Sequence, residues 1–85
     1  MKNKDIAKKI LDLVKEDNIT YLTHCATRLR LNVKDENSID LNKLSPIEGV
    51  ITAQFKNGQL QVVIGAKVEG VFDELMNMVN LSDDT

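Results

Sequence analysis

Aromatic residues are scarce in this chain. Tryptophan is absent, and Tyr21, Phe55 and Phe72 are all it holds. Sheets that bind RNA offer exposed aromatics for base stacking, so the composition argues against nucleic acid. Charge gives no general case for it either. Eleven basic residues face thirteen acidic ones, for a formal net charge of -2, which does not favour nucleic acid or an anionic membrane. Cysteine occurs once. An internal disulfide is therefore impossible, which fits a reducing compartment. One cysteine and one histidine also fall short of a four-ligand zinc site. Long apolar runs are missing: none approaches the ~20 residues that span a bilayer. Met1 to Lys9 is charged and no apolar core follows, so no secretory leader is expected. Repeats and low-complexity tracts are absent as well.

What remains is a chain of 85 residues, expected to form a single domain over 1–85 with one modest core. Residues from about 4 to 80 read as structured, and Leu81 to Thr85 as a polar tail. Asn3 or Asp5 is placed to cap a first helix. Ile6, Ile10, Leu13 and Val14 recur at helical spacing, with the lysines on a solvated face. Asp17-Asn18 closes that helix. Ile19 to His24 reads as a strand, with Tyr21 as a packing residue. Cys25-Ala26 turns, and Thr27 to Val33 returns as a second strand. Lys34 to Asn37 is a solvated loop. Ser38 is placed to cap a short helix through Leu44, and Pro46 stops it.

Asn57-Gly58 is the preferred pair for a two-residue type I′ hairpin turn. Such a turn sets Phe55 against Leu60, Gln54 against Gln61 and Ala53 against Val62. One face then carries Ile51, Ala53, Phe55, Leu60, Val62 and Ile64. The other carries Thr52, Gln54, Lys56, Gln59 and Gln61, with Val63 as an exception. Turn register and hydrophobic pattern agree. A last helix follows Gly65, with an apolar stripe of Val68, Val71, Phe72, Leu75, Met78 and Val79. Met76 and Met78 read as packing residues, and Gly70 costs the helix about 1 kcal/mol against alanine. The order is α-β-β-α-β-β-α. Four strands with one apolar face each need one cover. The expected fold is therefore an α+β two-layer sandwich, a mainly antiparallel four-stranded sheet with three helices on one face.

The segment His24-Cys25-Ala26-Thr27-Arg28-Leu29-Arg30 carries the chemistry. An isolated cysteine is commonly a small buried hydrophobe. Here no apolar run crosses the thiol. Leu29, Leu31 and Val33 alternate with Arg28, Arg30 and Asn32, so both arginines share the open face of a half-buried strand. Nearby positive charge favours the thiolate, and guanidinium forks suit phosphate. Turn amides at Ala26 and Thr27, with the Thr27 hydroxyl, offer donors to an anion. His24, next along the chain, points away from the thiol on a strand and reads as a surface or packing residue. Three readings compete: a phosphoryl-handling thiolate, an anion- or RNA-binding module with a non-catalytic cysteine, and a redox-sensing thiol. The last wants a resolving partner, and no second cysteine exists.

The stretch Asn18-Ile19 to Val33, centred on Cys25-Ala26-Thr27-Arg28-Leu29-Arg30, resembles the IIB domain of bacterial sugar phosphotransferase systems, in the glucose/β-glucoside/sucrose superfamily. Gly58-Gln59-Leu60-Gln61-Val62-Val63-Ile64-Gly65, Gly49-Val50 and the closing helix extend the resemblance over roughly Ile6 to Val79. His24-Cys25-Ala26-Thr27 is nearer the β-glucoside and sucrose branches. The resemblance implies a phosphotransferase component in which Cys25 takes a phosphoryl group from a IIA phosphohistidine. Cys25 then passes it to a sugar bound by the membrane-spanning IIC permease domain. It implies a delivery role for Arg28 and Arg30, phosphate contacts at Ala26 and Thr27, and no cofactor or metal. It also implies a cytoplasmic position at the inner face of the bacterial membrane through IIC.

Overall fold

The computed structural model describes residues 2–79. Helix α1 runs Asn3–Val14, followed by a 3-10 turn at Glu16–Asn18. Strands β1 (Ile19–His24) and β2 (Arg28–Val33) come next, then a 3-10 turn at Glu36–Ser38 and a single helical turn, α2, at Leu41–Leu44. Strands β3 (Thr52–Lys56) and β4 (Gln59–Val63) form a hairpin, and α3 covers Val68–Met78. The sheet order is β1-β2-β4-β3, and every neighbouring pair is antiparallel. This is the expected α+β architecture in the expected order. The polar tail at 81–85 lies outside the described residues.

The hydrophobic pattern explains the layering. Leu29 and Leu31 from β2 meet Leu60 and Val62 from β4, all fully buried. Ile6, Ile10 and Val14 from α1, with Val71 and Leu75 from α3, close over them at zero exposure. Each such side chain contributes roughly 1.5–3 kcal/mol on burial. The β3–β4 turn has Asn57 at φ 53 and Gly58 at φ 79, the left-handed pair that a type I′ turn requires. The predicted register holds throughout, from Lys56 opposite Gln59 to Ala53 opposite Val62. Gly49 sits at φ +99, where an added Cβ would press on the Ile6 side chain.

Local expectations fail where backbone geometry overrides pattern. The cap of α1 is Lys2, without a side-chain hydrogen bond, so neither Asn3 nor Asp5 plays that part. Asp40, not Ser38, caps α2, accepting from the Asn42 N–H at 2.9 Å. Ser38 instead ends the preceding turn, which Asp35 caps. Tyr21 is 56% exposed rather than packed. The cause is a register shift between Ile19 and Tyr21: an extra residue in β1 lets Ile19 and Leu22 both face inward and turns Tyr21 outward. Ile51 is also exposed: its N–H donates to the carbonyl of Val63, which is already the partner of Thr52, so the register that would set Ile51 against Ile64 is not continued. Met76 lies on the outer side of α3, whereas Met78 packs against the core as expected.

Candidate functional site

The thiol sits where β1 gives way to β2. The Cys25 N–H donates to the Arg28 carbonyl at 3.0 Å, closing a tight turn. The Thr27 carbonyl accepts from the N–H groups of Ile64 and Gly65 at 2.8 and 2.9 Å. The end of β4 thus clamps the turn to the sheet, and Ala26 and Thr27 are exposed at its tip. The Thr27 and Arg28 amides both hydrogen-bond the Cys25 sulfur, and an Arg30 Nη2–H points at it from 3.6 Å. These contacts, the Thr27 amide first, pull the thiol from 9.0 down to about 6, against a smaller opposing effect of burial. Two backbone donors and one cation around a half-exposed sulfur make a cradle for negative charge.

Arg28 and Arg30 share the open face, as the alternation required, but their surroundings differ. The face is ordered in rows across the strands. Nearest the thiol, Arg28 lies beside Val63 and Thr52. The next row is Thr23, Arg30, Gln61 and Gln54, and the third is Tyr21, Asn32, Gln59 and Lys56. Arg28 Nη1 donates to Gln61 Oε1 at 2.8 Å. Arg30 Nη1 donates to Gln59 Oε1 at 3.2 Å. Gln61, expected among exposed polar residues, is only 4% exposed, covered by these side chains. A shallow depression of about 390 Å³ borders the network, lined by Arg30, Asn32, Lys56, Asn57, Gln59 and Gln61.

His24 lies beside the thiol in sequence but on the other side of the chain in space. Its ring packs on Phe72 with centroids 4.6 Å apart. Its Nδ1–H donates to the Cys25 carbonyl at 2.9 Å, which fixes the ring tautomer since a carbonyl can only accept. The expected packing role fits this geometry. Two features escaped the sequence reading. Asn18 donates from Nδ2 to the Asp35 carbonyl and to Ser38 Oγ, and accepts from the Asp35 N–H at 2.8 Å, tying the chain after β2 to the start of β1. Gln59 and Gln61, placed by the alternation on the polar face, are in addition tied to Arg30, Arg28 and each other. No helix among the described residues is long and apolar enough to cross a membrane.

The site is thus an acidified thiol beside two arginines on the open face of an α+β domain. A phosphotransferase system EIIB family profile matches residues 8–40. The sucrose-specific EIIBCA component of Pediococcus pentosaceus is 37% identical over 86 residues, covering 100% of this chain and 13% of that protein. The β-glucoside-specific EIIBCA component of Bacillus subtilis strain 168 is 36% identical, covering 93% of this chain and 13% of that one. The crystal structure of one domain of the phosphotransferase system IIabc component from Clostridium difficile superposes with a TM-score of 0.86. It is 34% identical, with 98% of this chain and 94% of that domain covered. The chain belongs to the EIIB family of the phosphotransferase system, in its glucose superfamily. It spans about an eighth of the length of the two multidomain relatives named.

Proposed function

We propose that this domain is a phosphoryl carrier in sugar uptake, with Cys25 as the residue that holds the phosphoryl group. The observation that carries the reading is the Cys25 thiol held by two turn amides and Arg30, with its pKa drawn to about 6. At pH 7 about nine-tenths of such a thiol is thiolate, against about one-hundredth at a pKa of 9.0. Thiolates lose nucleophilicity as they become less basic, by about twentyfold over three units on a Brønsted slope of ~0.4–0.5. The gain in thiolate outweighs that loss several-fold.

The donor is a phosphohistidine on a IIA domain. The Cys25 sulfur attacks phosphorus, an S–P bond forms, the N–P bond breaks, and the electron pair returns to the imidazole. In delivery, a hydroxyl of a sugar held by a IIC permease domain attacks the same phosphorus from the opposite side. An O–P bond forms, the S–P bond breaks, the hydroxyl proton departs to solvent, and the thiolate is restored. Positioning and charge stabilisation supply most of the catalysis in such transfers. The amides of Thr27 and Arg28 are aimed at the sulfur, and the exposed Ala26–Thr27 tip gives phosphate oxygens further donors. Arg28 and Arg30 offset the growing charge as forks. The scheme uses no metal and no cofactor. The domain would work on the cytoplasmic side of the bacterial membrane, brought there by IIC. The relatives' sucrose and β-glucoside specificities make those the acceptors to try first.

Replacing the nucleophile tests this reading. Cys25→Ser should keep the fold, since the thiol is not part of the core, and should abolish sugar phosphate formation with IIA, phosphoenolpyruvate, the upstream transfer proteins and IIC-containing membranes. Transfer by that variant at the wild-type rate would defeat the proposal.

A further inference from the structure

We propose that Gln59 is the positioning residue that holds the Arg30 guanidinium at the Cys25 thiol, an inference that rests on the phosphoryl-carrier reading. Arg30 is gripped at two points. Nη2 faces the sulfur at 3.6 Å, and Nη1 donates to Gln59 Oε1 at 3.2 Å. Gln59 is in turn held by its neighbours. Its Nε2 donates to Asn32 Oδ1 at 3.1 Å, and its Oε1 also accepts from Gln61 Nε2 at 3.0 Å. The amide cannot turn over. Guanidinium has donors and no acceptor, so an inverted Gln59 would set N–H against N–H at Arg30 and lose its bond to Asn32. Gln61 is fixed by the same logic, because its Oε1 accepts from Arg28 at 2.8 Å. A directed chain therefore runs from the thiol through Arg30, Gln59 and Gln61 to Arg28.

The chain matters because an arginine side chain is long and its free ends are mobile. A phosphoryl group on Cys25 brings close to two negative charges. An unrestrained Arg30 would fold over it with both forks and cover the phosphorus. Held back at Nη1, it offers one edge and leaves a path for the incoming acceptor. Gln59 thereby favours delivery over storage, and acts through Arg30 rather than by touching phosphate.

Two variants test this. Gln59→Leu keeps the volume and removes the acceptor. Cys25 loading by phosphorylated IIA should stay within about twofold of wild type. Sucrose phosphate formation in membranes carrying a sucrose-specific IIC domain should fall about tenfold, the effect of one lost charge-assisted hydrogen bond. Gln59→Met removes the acceptor without adding charge and frees Arg30 from its second hold, so the pH midpoint of Cys25 alkylation by iodoacetamide should rise. A merely structural residue would lower both half-reactions together and leave the midpoint in place. That pattern, or wild-type delivery by Gln59→Leu, would overturn the proposal. If wild-type Cys25 is never phosphorylated, the carrier reading fails instead, and the alkylation midpoint of Gln59→Met still decides the role of Gln59.

Discussion

Cys25 owes its acidity to contacts that differ in kind, and substitutions separate them. Turn amides contribute most and cannot be removed without changing the backbone; Arg30 contributes through one side chain. Because the reactive form is the deprotonated one, iodoacetamide reactivity should be low at pH 5, rise through a midpoint of about 6, and level off near neutrality. A midpoint of 9 would remove the cradle from the account. Arg30→Lys should raise the midpoint, since one ammonium cannot reach both Sγ and Gln59 as the fork does. Arg28→Lys should leave it unchanged, because Arg28 spends its Nη1 on Gln61. Asn18 is a residue of a different sort, nearly buried and bonded on both sides of its amide. Asn18→Ala removes the acceptor of the Asp35 N–H and leaves the Asp35 carbonyl with the Ser38 hydroxyl alone; it should cost about 1–3 kcal/mol of stability, measured by urea denaturation, with the alkylation midpoint unmoved.

The elements that sequence made legible are those where two independent signals coincide. In the β3–β4 hairpin, Asn57-Gly58 sets the register and the alternation from Ala53 to Val62 agrees with it, so pairing and faces are both correct. In β2 the alternation of leucine and arginine was enough to put Arg28 and Arg30 together on the open face. β1 was legible as a strand but not in its faces, because one extra residue near Thr20 reverses the alternation and the sequence carries no mark of it. The amide network escaped for a similar reason: it joins Arg30 to a residue 29 positions away, and its bonds depend on the order in which β2 meets β4. The caps of α1 and α2 escaped because several polar residues stand in a row, and the backbone chooses among them. The loop between α2 and β3 gives a sharper test of the packing. Gly49→Ala should destabilise by about 2–3 kcal/mol, read as a lower urea midpoint, because its φ of +99 is strained for any Cβ and the Ile6 side chain occupies the space.

Across the whole molecule, the layers separate stability from chemistry. Helices α1 and α3 and the inward side chains of the sheet form the core, while the thiol turn, both arginines and the glutamines lie on or beside the face that no helix covers among the described residues. Partner domains of a carrier must reach the same sulfur in succession, and an uncovered face permits that without unfolding any element. The two arginines should then show themselves mainly in delivery. Arg28→Lys and Arg30→Lys should still load Cys25 from IIA but pass phosphate to sugar poorly. Quantifying phosphocysteine by mass spectrometry beside sugar phosphate separates the two steps. Equal loss in both would mean that the arginines build the phosphate site itself. The most direct measurement for the central claim is site mapping of the phosphorylated domain. Incubated with phosphoenolpyruvate, the upstream transfer proteins and IIA, the chain should acquire one phosphate, located on Cys25 by tandem mass spectrometry and discharged when sucrose and IIC-containing membranes are added. A phosphate found on His24 or any other residue, or none at all, would contradict the account.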